Sequence, residues 1–261
     1  MDIPLYQVDA FTSELFRGNP AAVCLLDSWP EDAVMQAIAA ENNLSETAFL
    51  LPAGDDHELR WFTPTTEVAL CGHATLASAF VLFEHLDWPG ESISFHTRMS
   101  GTLNVSRWNG LLELDFPTAP VVSIPPPEGL GEALGVDSEE VYSAGEDVMV
   151  VLPDEQQVRD LQPDMVALSD IECRGVIVTA PGESVDFVSR FFCPRVGIAE
   201  DPVTGSAHCA LTPYWSERLG KTDLNARQVS ARGGELFCTA AGERVTIAGR
   251  AVLYSVGMIR I

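Results

Sequence analysis

Lysine is almost missing from this chain, since Lys221 is the only one and arginine supplies nearly all of the positive charge. Fifteen lysines and arginines face 38 aspartates and glutamates, which leaves a net charge of −23 at pH 7. A surface this acidic repels nucleic acid and anionic lipid. We therefore expect no nucleic-acid partner and no membrane partner.

Long apolar runs and clustered cysteines are also missing. No apolar run reaches the roughly 18 residues that cross a bilayer, and the first residues lack the basic and apolar regions of a secretory signal. The six cysteines are scattered, with no C-x-x-C pair. We therefore expect a cytoplasmic protein with reduced thiols and no metal site.

One short pattern occurs twice. Residues 60–64 read RWFTP and residues 190–194 read RFFCP, a separation of 190 − 60 = 130. A glycine that can open a helix follows each copy, at Gly72 and Gly205, and these lie 205 − 72 = 133 residues apart. The second copy therefore carries three extra residues in its loop. A repeat this long indicates a duplicated domain and not an array of short repeats.

Each copy predicts a strand, a turn and then a long helix. We predict helices from Gly72 to about His85 and from Ser206 to about Leu219, and the first is so uniformly apolar that protein must surround it. Many short strands accompany these few long helices. The prediction is an α+β fold of two pseudo-symmetric domains, each a curled, mostly antiparallel sheet around a central helix.

The predicted domains cover residues 1–117 and 118–261, with the C-terminal strand as a candidate to complete the first domain. The linker is predicted in the proline-rich stretch 116–127, which has no helical periodicity. Within the first domain, Asn109 and Gly110 form a strong signal for a hairpin between two strands.

Glu46 stands just ahead of an apolar stretch. Residues 48–51 leave no solvated face, so we place Glu46 where a loop meets a buried strand. A carboxylate at such an edge is costly to bury unless it is paired. Spacing alone leaves two readings open, a functional carboxylate and a solvated charge at the strand end.

The two predicted helix starts are candidate anion sites. A glycine at a helix start lets backbone N–H groups approach a ligand, and the positive end of the helix dipole adds to their attraction for an anion. Gly72 and Gly205 each open a predicted helix. We therefore expect both starts to bind a small anion, facing each other across one pocket.

Four longer motifs follow one another in a characteristic order. They are GNPAAV at 18–23, NLSETAF at 43–49, RWFTPTTEVALCGHATLA at 60–77 and FFCPRVGIAEDPVTGSAH at 191–208. Together they resemble the PhzF family, named for an enzyme of phenazine biosynthesis. The resemblance implies a diaminopimelate epimerase-like fold, an active site in the cleft between two similar domains, and a homodimer. It also implies an isomerase that acts on a small anionic carboxylate without a cofactor.

The resemblance also implies roles for individual residues. The position matching Glu46 is the general acid/base, which takes a proton from one carbon and returns it to another. Backbone N–H groups at the helix starts would bind a substrate carboxylate and the oxyanion of an enol-like intermediate. The positions that match the family's substrate pocket are Gly72, His73, Asp201, Gly205 and Ser206.

Two of these residues keep a second reading. His73 is either catalytic, through hydrogen bonding or proton transfer, or only a helix cap. Asp201 can cap the turn that follows it, bind a substrate amine or pair with His73, and these roles are compatible. His208 lies one helical turn past Gly205 and is expected to be a satisfied core histidine.

Epimerases of this architecture use two cysteines, one at each helix start. Cys71 stands at the first of these positions, but Thr204 stands at the second. A two-thiol mechanism is therefore excluded, although both residues are expected to line the substrate pocket. Cys209 is expected to point into the core. The alternatives to the isomerase are an amino-acid epimerase or racemase that uses Cys71 with Glu46, and a binding or scaffold protein without turnover.

Overall fold

The computed structural model describes residues 2–137 and 140–261. The chain divides into two compact units. The first runs to Asp115 and is completed by Ala248–Ile261, and the second spans Phe116–Ile247. None of the helices in these described residues is both long and apolar enough to span a membrane.

The first unit is built mainly from strands. In chain order its elements are β1 (Asp2–Ala10), β2 (Asn19–Leu25), α1 (Asp32–Asn42), β3 (Glu46–Ala53), β4 (Asp56–Phe62), β5 (Glu67–Val68), α2 (Gly72–His85), β6 (Ser92–Thr97), β7 (Thr102–Trp108) and β8 (Leu111–Pro117).

The second unit has a similar composition, with more short helices. Its elements are β9 (Val121–Ser123), α3 (Leu130–Leu134), β10 (Val141–Ala144), β11 (Asp147–Val151), α4 (Glu155–Asp160), α5 (Met165–Ser169), β12 (Val176–Pro181), β13 (Phe187–Cys193), β14 (Ile198–Asp201), α6 (Gly205–Leu219), β15 (Asp223–Gln228), β16 (Gly234–Ala241) and β17 (Arg244–Gly249). The last strand of the chain, β18 (Ala251–Arg260), belongs to the first unit.

The sheet of the first unit mixes parallel and antiparallel neighbours. β1 lies antiparallel to β2, β2 lies parallel to β3, and β3 lies antiparallel to β4. β4 is antiparallel to the short β5 and parallel to β6, and antiparallel pairs join β6 to β7 and β7 to β8. β18 pairs with β1 along its length, so the end of the chain completes this sheet.

The second unit repeats this order of strands. β10 lies antiparallel to β11, β11 lies parallel to β12, and β12 lies antiparallel to β13. β13 is antiparallel to β14 and parallel to β15, which pairs with β16. β9 pairs with β10 as β18 pairs with β1. The shared topology confirms the predicted α+β fold with two similar halves.

The long helices begin where the glycines predict. α2 starts at Gly72 and ends at His85, and every residue from His73 to Ala79 is buried. Such a helix has no solvated face and is stable only when protein surrounds it. It packs against β1, β2 and β3. α6 starts at Gly205 and continues through Pro213.

The predicted hairpin is also confirmed. Asn109 and Gly110 connect β7 to β8 with φ angles of 50° and 76°. Two successive residues in the left-handed region are typical of the type I′ turn, whose twist matches that of the flanking strands. The proline-rich stretch 116–127 is less regular, but it contributes β9 to the second unit.

One arginine–glutamate pair recurs in each unit, ahead of the long helix. Arg60 donates from Nε and Nη2 to the two oxygens of Glu67, at 2.7 and 2.8 Å. Arg190 binds Glu200 in the same way, at 2.7 and 3.0 Å. The spacing is 67 − 60 = 7 residues in the first unit and 200 − 190 = 10 in the second. The three extra residues fall in the stretch that holds a short 3-10 helix, Pro194–Val196.

Removing Arg190 is expected to destabilise the fold strongly. Arg190 is buried, and its Nη1 also donates to the carbonyl oxygens of Val158 and Leu161, at 3.2 and 2.9 Å. Arg190→Gln leaves those acceptors and Glu200 without their cation, and the free energy of unfolding should fall by about 3–5 kcal/mol. Urea unfolding, followed by circular dichroism, measures this change.

The matched control is Arg227→Gln. Arg227 pairs with Glu235 at 2.8 Å, and both side chains are more than a third exposed. An exposed ion pair contributes about 1 kcal/mol or less. Equal losses of stability in the two variants would contradict the structural role assigned to Arg190.

Candidate functional site

Glu46 is the first residue of β3, and it is not a solvated strand-end charge. β3 pairs in parallel with β2, and Ala48 to Leu50 are buried. The Glu46 side chain is only 14% exposed. Its Oε2 is buried.

The start of α2 supplies the neighbours of Glu46. His73 is 5% exposed, and its Nε2 lies 3.1 Å from Glu46 Oε2, close enough for an ion pair. Cys71, the N-cap residue of α2, places its Sγ 3.5 Å from His73 Nδ1. The fold thus brings together three predicted site residues from two separate segments.

Burial and charge act in opposite directions on this cluster. Burial alone would lower the pKa of His73, but the neighbouring Cys71 and Glu46 outweigh it and hold the pKa of His73 well above its usual value. Burial, assisted by the charge of Glu46, raises the pKa of the Cys71 thiol to about 11. The thiol is therefore neutral at pH 7, and the anion that stabilises the His73 imidazolium is Glu46.

The same three side chains could hold a metal ion. One ligand atom from each of Glu46, Cys71 and His73 lies within 4.8 Å of the other two. Oxygen, sulfur and nitrogen are the donors that Zn²⁺ accepts. Because such an ion would occupy Glu46 and His73 themselves, it would compete with any proton transfer at these groups.

In the second unit, the predicted residues follow one another along the turn from β14 into α6. Thr204 Oγ1 donates to Asp201 Oδ2 at 2.5 Å. The buried amide of Gln228 holds the turn from the other side, because its Nε2 donates to the Asp201 carbonyl oxygen at 2.7 Å and its Oε1 accepts from Thr204 N at 2.8 Å. Asp201 therefore ends β14 in a turn that is fixed by its own neighbours.

Ser206 is the second residue of α6 and has an arginine beside it. Arg174 Nη2 donates to Ser206 Oγ at 3.1 Å. The same guanidinium donates from Nε and Nη2 to the two oxygens of Asp147, at 2.8 and 2.5 Å. Asp147 is buried, so this pair is anchored in the unit.

Two expectations for α6 are only partly met. His208 is fully buried and its Nδ1 lies 2.8 Å from the Thr204 carbonyl oxygen, but its Nε2 has no hydrogen bond within the described residues. Burial lowers the pKa of His208 to about 4, so the ring is neutral. Cys209 is half-buried and not in the core, and burial raises its pKa to about 12.

Sequence reasoning does not find Arg174, Asp147 or Gln228. Asp147 begins β11, Arg174 lies just before β12, and Gln228 ends β15. These residues are far apart in the chain and meet the α6 turn only through strand pairing, so no spacing marks them.

Comparison with known proteins places the chain in a well-populated family. The sequence model of the phenazine biosynthesis-like proteins matches residues 8–257. An uncharacterized isomerase of Pseudomonas aeruginosa is 53% identical over 261 residues, which cover 100% of both chains. The crystal structure of a PhzF-family protein from Enterococcus faecalis is 50% identical, with a TM-score of 0.97 over 100% of both chains. A hydroxyproline epimerase from Agrobacterium vitis shares the fold alone, at 12% identity and a TM-score of 0.65 over 99% of this chain and 92% of its own.

Replacing Glu46 is expected to lower the pKa of His73. Glu46→Gln removes the adjacent anion while the ring stays buried, so the neutral imidazole becomes favoured. The pKa is measured by proton NMR, from the pH dependence of the Cε1–H signals of the five histidines. The variant His73→Gln assigns the signal of His73. Glu41→Gln, at an exposed glutamate of α1, should leave it unchanged.

The same pair should make stability depend on pH. The native pKa of His73 lies above its unfolded value, so the pair stabilises the fold fully below the unfolded pKa of about 6.5. That stability is lost as the pH rises through the native pKa. Glu46→Gln should flatten this fall in the free energy of unfolding, and an unchanged fall would contradict the pairing.

Proposed function

The chain belongs to the phenazine biosynthesis-like family, and on that premise we propose that it is an isomerase that moves a proton within a small carboxylic acid. Glu46 is the general acid/base of this proposal. The observation that carries it is the Glu46–His73 contact, in which a largely buried carboxylate lies 3.1 Å from an imidazole nitrogen. We assign the transferred proton to this carboxylate, which the contact holds in place.

In the proposed reaction, the Glu46 carboxylate removes a proton from one carbon of the substrate. The electron pair of the broken C–H bond stays in the substrate as an enol-like anion conjugated with its carboxylate. The same carboxylate then returns the proton to another carbon, so Glu46 ends as it began. No electrons leave the substrate, and the reaction needs no redox cofactor.

His73 supports both halves of this cycle in the proposal. As an imidazolium it stabilises the Glu46 carboxylate before proton transfer. Once Glu46 is protonated, the positive charge of His73 is free to stabilise the anion formed on the substrate. This role is supported by the position of His73 Nε2, which lies 3.1 Å from the Glu46 carboxylate. From there the imidazolium can stabilise first the carboxylate and then an anion on a substrate bound beside it.

The proposal assigns substrate binding to both helix starts. In the described residues, neither Cys71 nor Thr204 makes a side-chain cap bond to its helix. Backbone N–H groups in the first turns of these helices, which begin at Gly72 and Gly205, therefore lack that partner and suit the oxygens of a carboxylate. Asp201 and Ser206, next to the second start, complete the proposed binding set.

A second candidate is epimerisation by Cys71 together with Glu46. The contact between Cys71 and His73 favours it, because a cation beside a thiol promotes the thiolate. Burial acts more strongly in the opposite direction and keeps the thiol pKa at about 11. The single-carboxylate mechanism therefore has the better support.

Glu46→Gln is expected to abolish proton exchange while the protein still folds. The test screens small carboxylic acids with a C–H bond next to a carbonyl or a double bond, and follows deuterium uptake from D₂O by NMR. The variant should lower the exchange rate by about 10²-fold or more, because glutamine cannot accept the proton.

Two further variants sharpen this test. Glu41→Gln should keep full exchange, and so should Cys71→Ala if the carboxylate acts alone. Loss of exchange in Cys71→Ala would support the epimerase. Exchange that persists in Glu46→Gln would overturn the assigned base, and no exchange by the wild type on any acid would favour a binding protein.

A further inference from the structure

Strand register identifies the position in the second unit that matches Glu46. Glu46 precedes the residue that pairs with Phe62 across β3 and β4. Gly175 precedes the residue that pairs with Phe192 across β12 and β13. The two phenylalanines occupy the same place in the repeated RWFTP and RFFCP patterns. Gly175 therefore stands where the first unit has its carboxylate.

A side chain at Gly175 would collide with the ring of Phe191 where that ring now lies. A Cβ atom built there would lie 2.4 Å from Cζ of Phe191, well inside van der Waals contact. The ring of Phe191 thus fills the space that a side chain at this position would need. The second unit therefore has glycine, and no side chain that could act as a base, at this position.

Arg174, the preceding residue, is held from three sides. Its guanidinium carbon lies 5.5 Å from the centre of the Phe191 ring. Nε and Nη2 donate to the carboxylate of Asp147, and Nη2 also donates to Ser206 Oγ. Nη1 makes no hydrogen bond to the described residues. The side chain is 35% exposed.

In the hydrogen bond between Arg174 and Ser206, the donor and the acceptor can be assigned. Arginine donates hydrogen bonds and cannot accept them, so Ser206 Oγ must be the acceptor. The hydroxyl hydrogen of Ser206 is then free to point elsewhere, and it meets no acceptor among the described residues. Ser206 matches His73 in the first unit, since 206 − 73 = 133 is also the separation of the glycines that open the two helices.

We propose that Arg174 is a positioning residue that sets the specificity of the second helix start for a carboxylate. Its hydrogen bond to Ser206 Oγ leaves the hydroxyl hydrogen of Ser206 to donate to a ligand. An ionised carboxylate suits that donor because it only accepts hydrogen bonds. An amide should bind less well, because it is uncharged and its N–H groups are donors as well. This inference rests on the proposed function, in which Ser206 binds the substrate.

The test uses benzoate and benzamide as probes of equal shape, because they differ in charge and in hydrogens. Their dissociation constants are measured by ligand-observed NMR for the wild type, Arg174→Gln, Ser206→Ala and the double variant. Arg174→Gln should reduce the preference for benzoate by about tenfold, the effect of losing one charge-assisted hydrogen bond. The double variant should lose little more than the single variants, because Arg174 acts through Ser206.

Further variants separate positioning from folding. Arg174→Lys keeps the charge and should retain part of the benzoate preference that Arg174→Gln loses. If Arg174 served only the fold, its replacement would weaken the binding of benzoate and of benzamide equally. Arg195→Gln is the control, since Arg195 lies in the same unit and donates to the Ile171 carbonyl oxygen at 3.1 Å. It should keep the full preference. If Arg174→Gln does not fold, Arg174→Met takes its place in the comparison with Ser206→Ala, because methionine keeps most of the side-chain length without the charge or the donors.

The outcomes distinguish this inference from the proposed function. Glu46→Gln should lose proton exchange and still prefer benzoate. Additive effects of Arg174 and Ser206 substitutions, an unchanged preference in Arg174→Gln, or no binding of benzoate by the wild type would each overturn the role of Arg174. Absence of exchange, with the Arg174-dependent preference intact, would overturn the isomerase and keep the carboxylate site.

Discussion

An arginine–glutamate ion pair occurs once in each unit and fixes the segment that precedes the long helix. Arg60 binds Glu67 and Arg190 binds Glu200, each through two parallel hydrogen bonds. The arginine side chains are only 10% and 11% exposed, so their charges are tolerable only because the planar guanidinium matches the carboxylate. Lysine has a single charged centre and could not make both bonds. With the incoming strand tied to the strand before the helix, the helix start has a fixed position on which site residues can be placed.

The two units use this common frame for different chemistry. The first places groups that can gain or lose a proton, Cys71 and His73, at its helix start and adds Glu46 from the neighbouring strand. The second has Thr204 and Ser206 at the matching helix positions, and these side chains exchange only hydrogen bonds. The difference follows from packing, because an aromatic ring fills the space where the second unit would need a carboxylate. Within the described residues, the two units therefore share a helix start, and the cluster of Glu46, Cys71 and His73 lies in the first unit.

Patterns of neighbouring residues predict many elements of the fold, but they do not predict the contacts of the candidate site residues. The start of α2 at Gly72 and the turn at Asn109 follow from neighbouring residues, so the sequence alone predicts them. Neighbouring residues do not predict the environment of Glu46, because its partner His73 lies 73 − 46 = 27 residues away and belongs to a separate helix. The half-satisfied ring of His208 escapes prediction for the same reason. A side chain's hydrogen-bond partners depend on which strands become neighbours, which spacing along the chain does not reveal.

Charge in a desolvated cluster decides which of its groups can act as a base. Glu46, Cys71 and His73 lie together with little access to water, so each additional unpaired charge is costly. One carboxylate and one imidazolium neutralise each other. Ionising the thiol as well would bury a further charge and put a second anion beside Glu46, and both effects raise the pKa of Cys71. At neutral pH the cluster therefore holds one available base, an oxygen of Glu46, and such an arrangement suits a proton that leaves and returns by the same group.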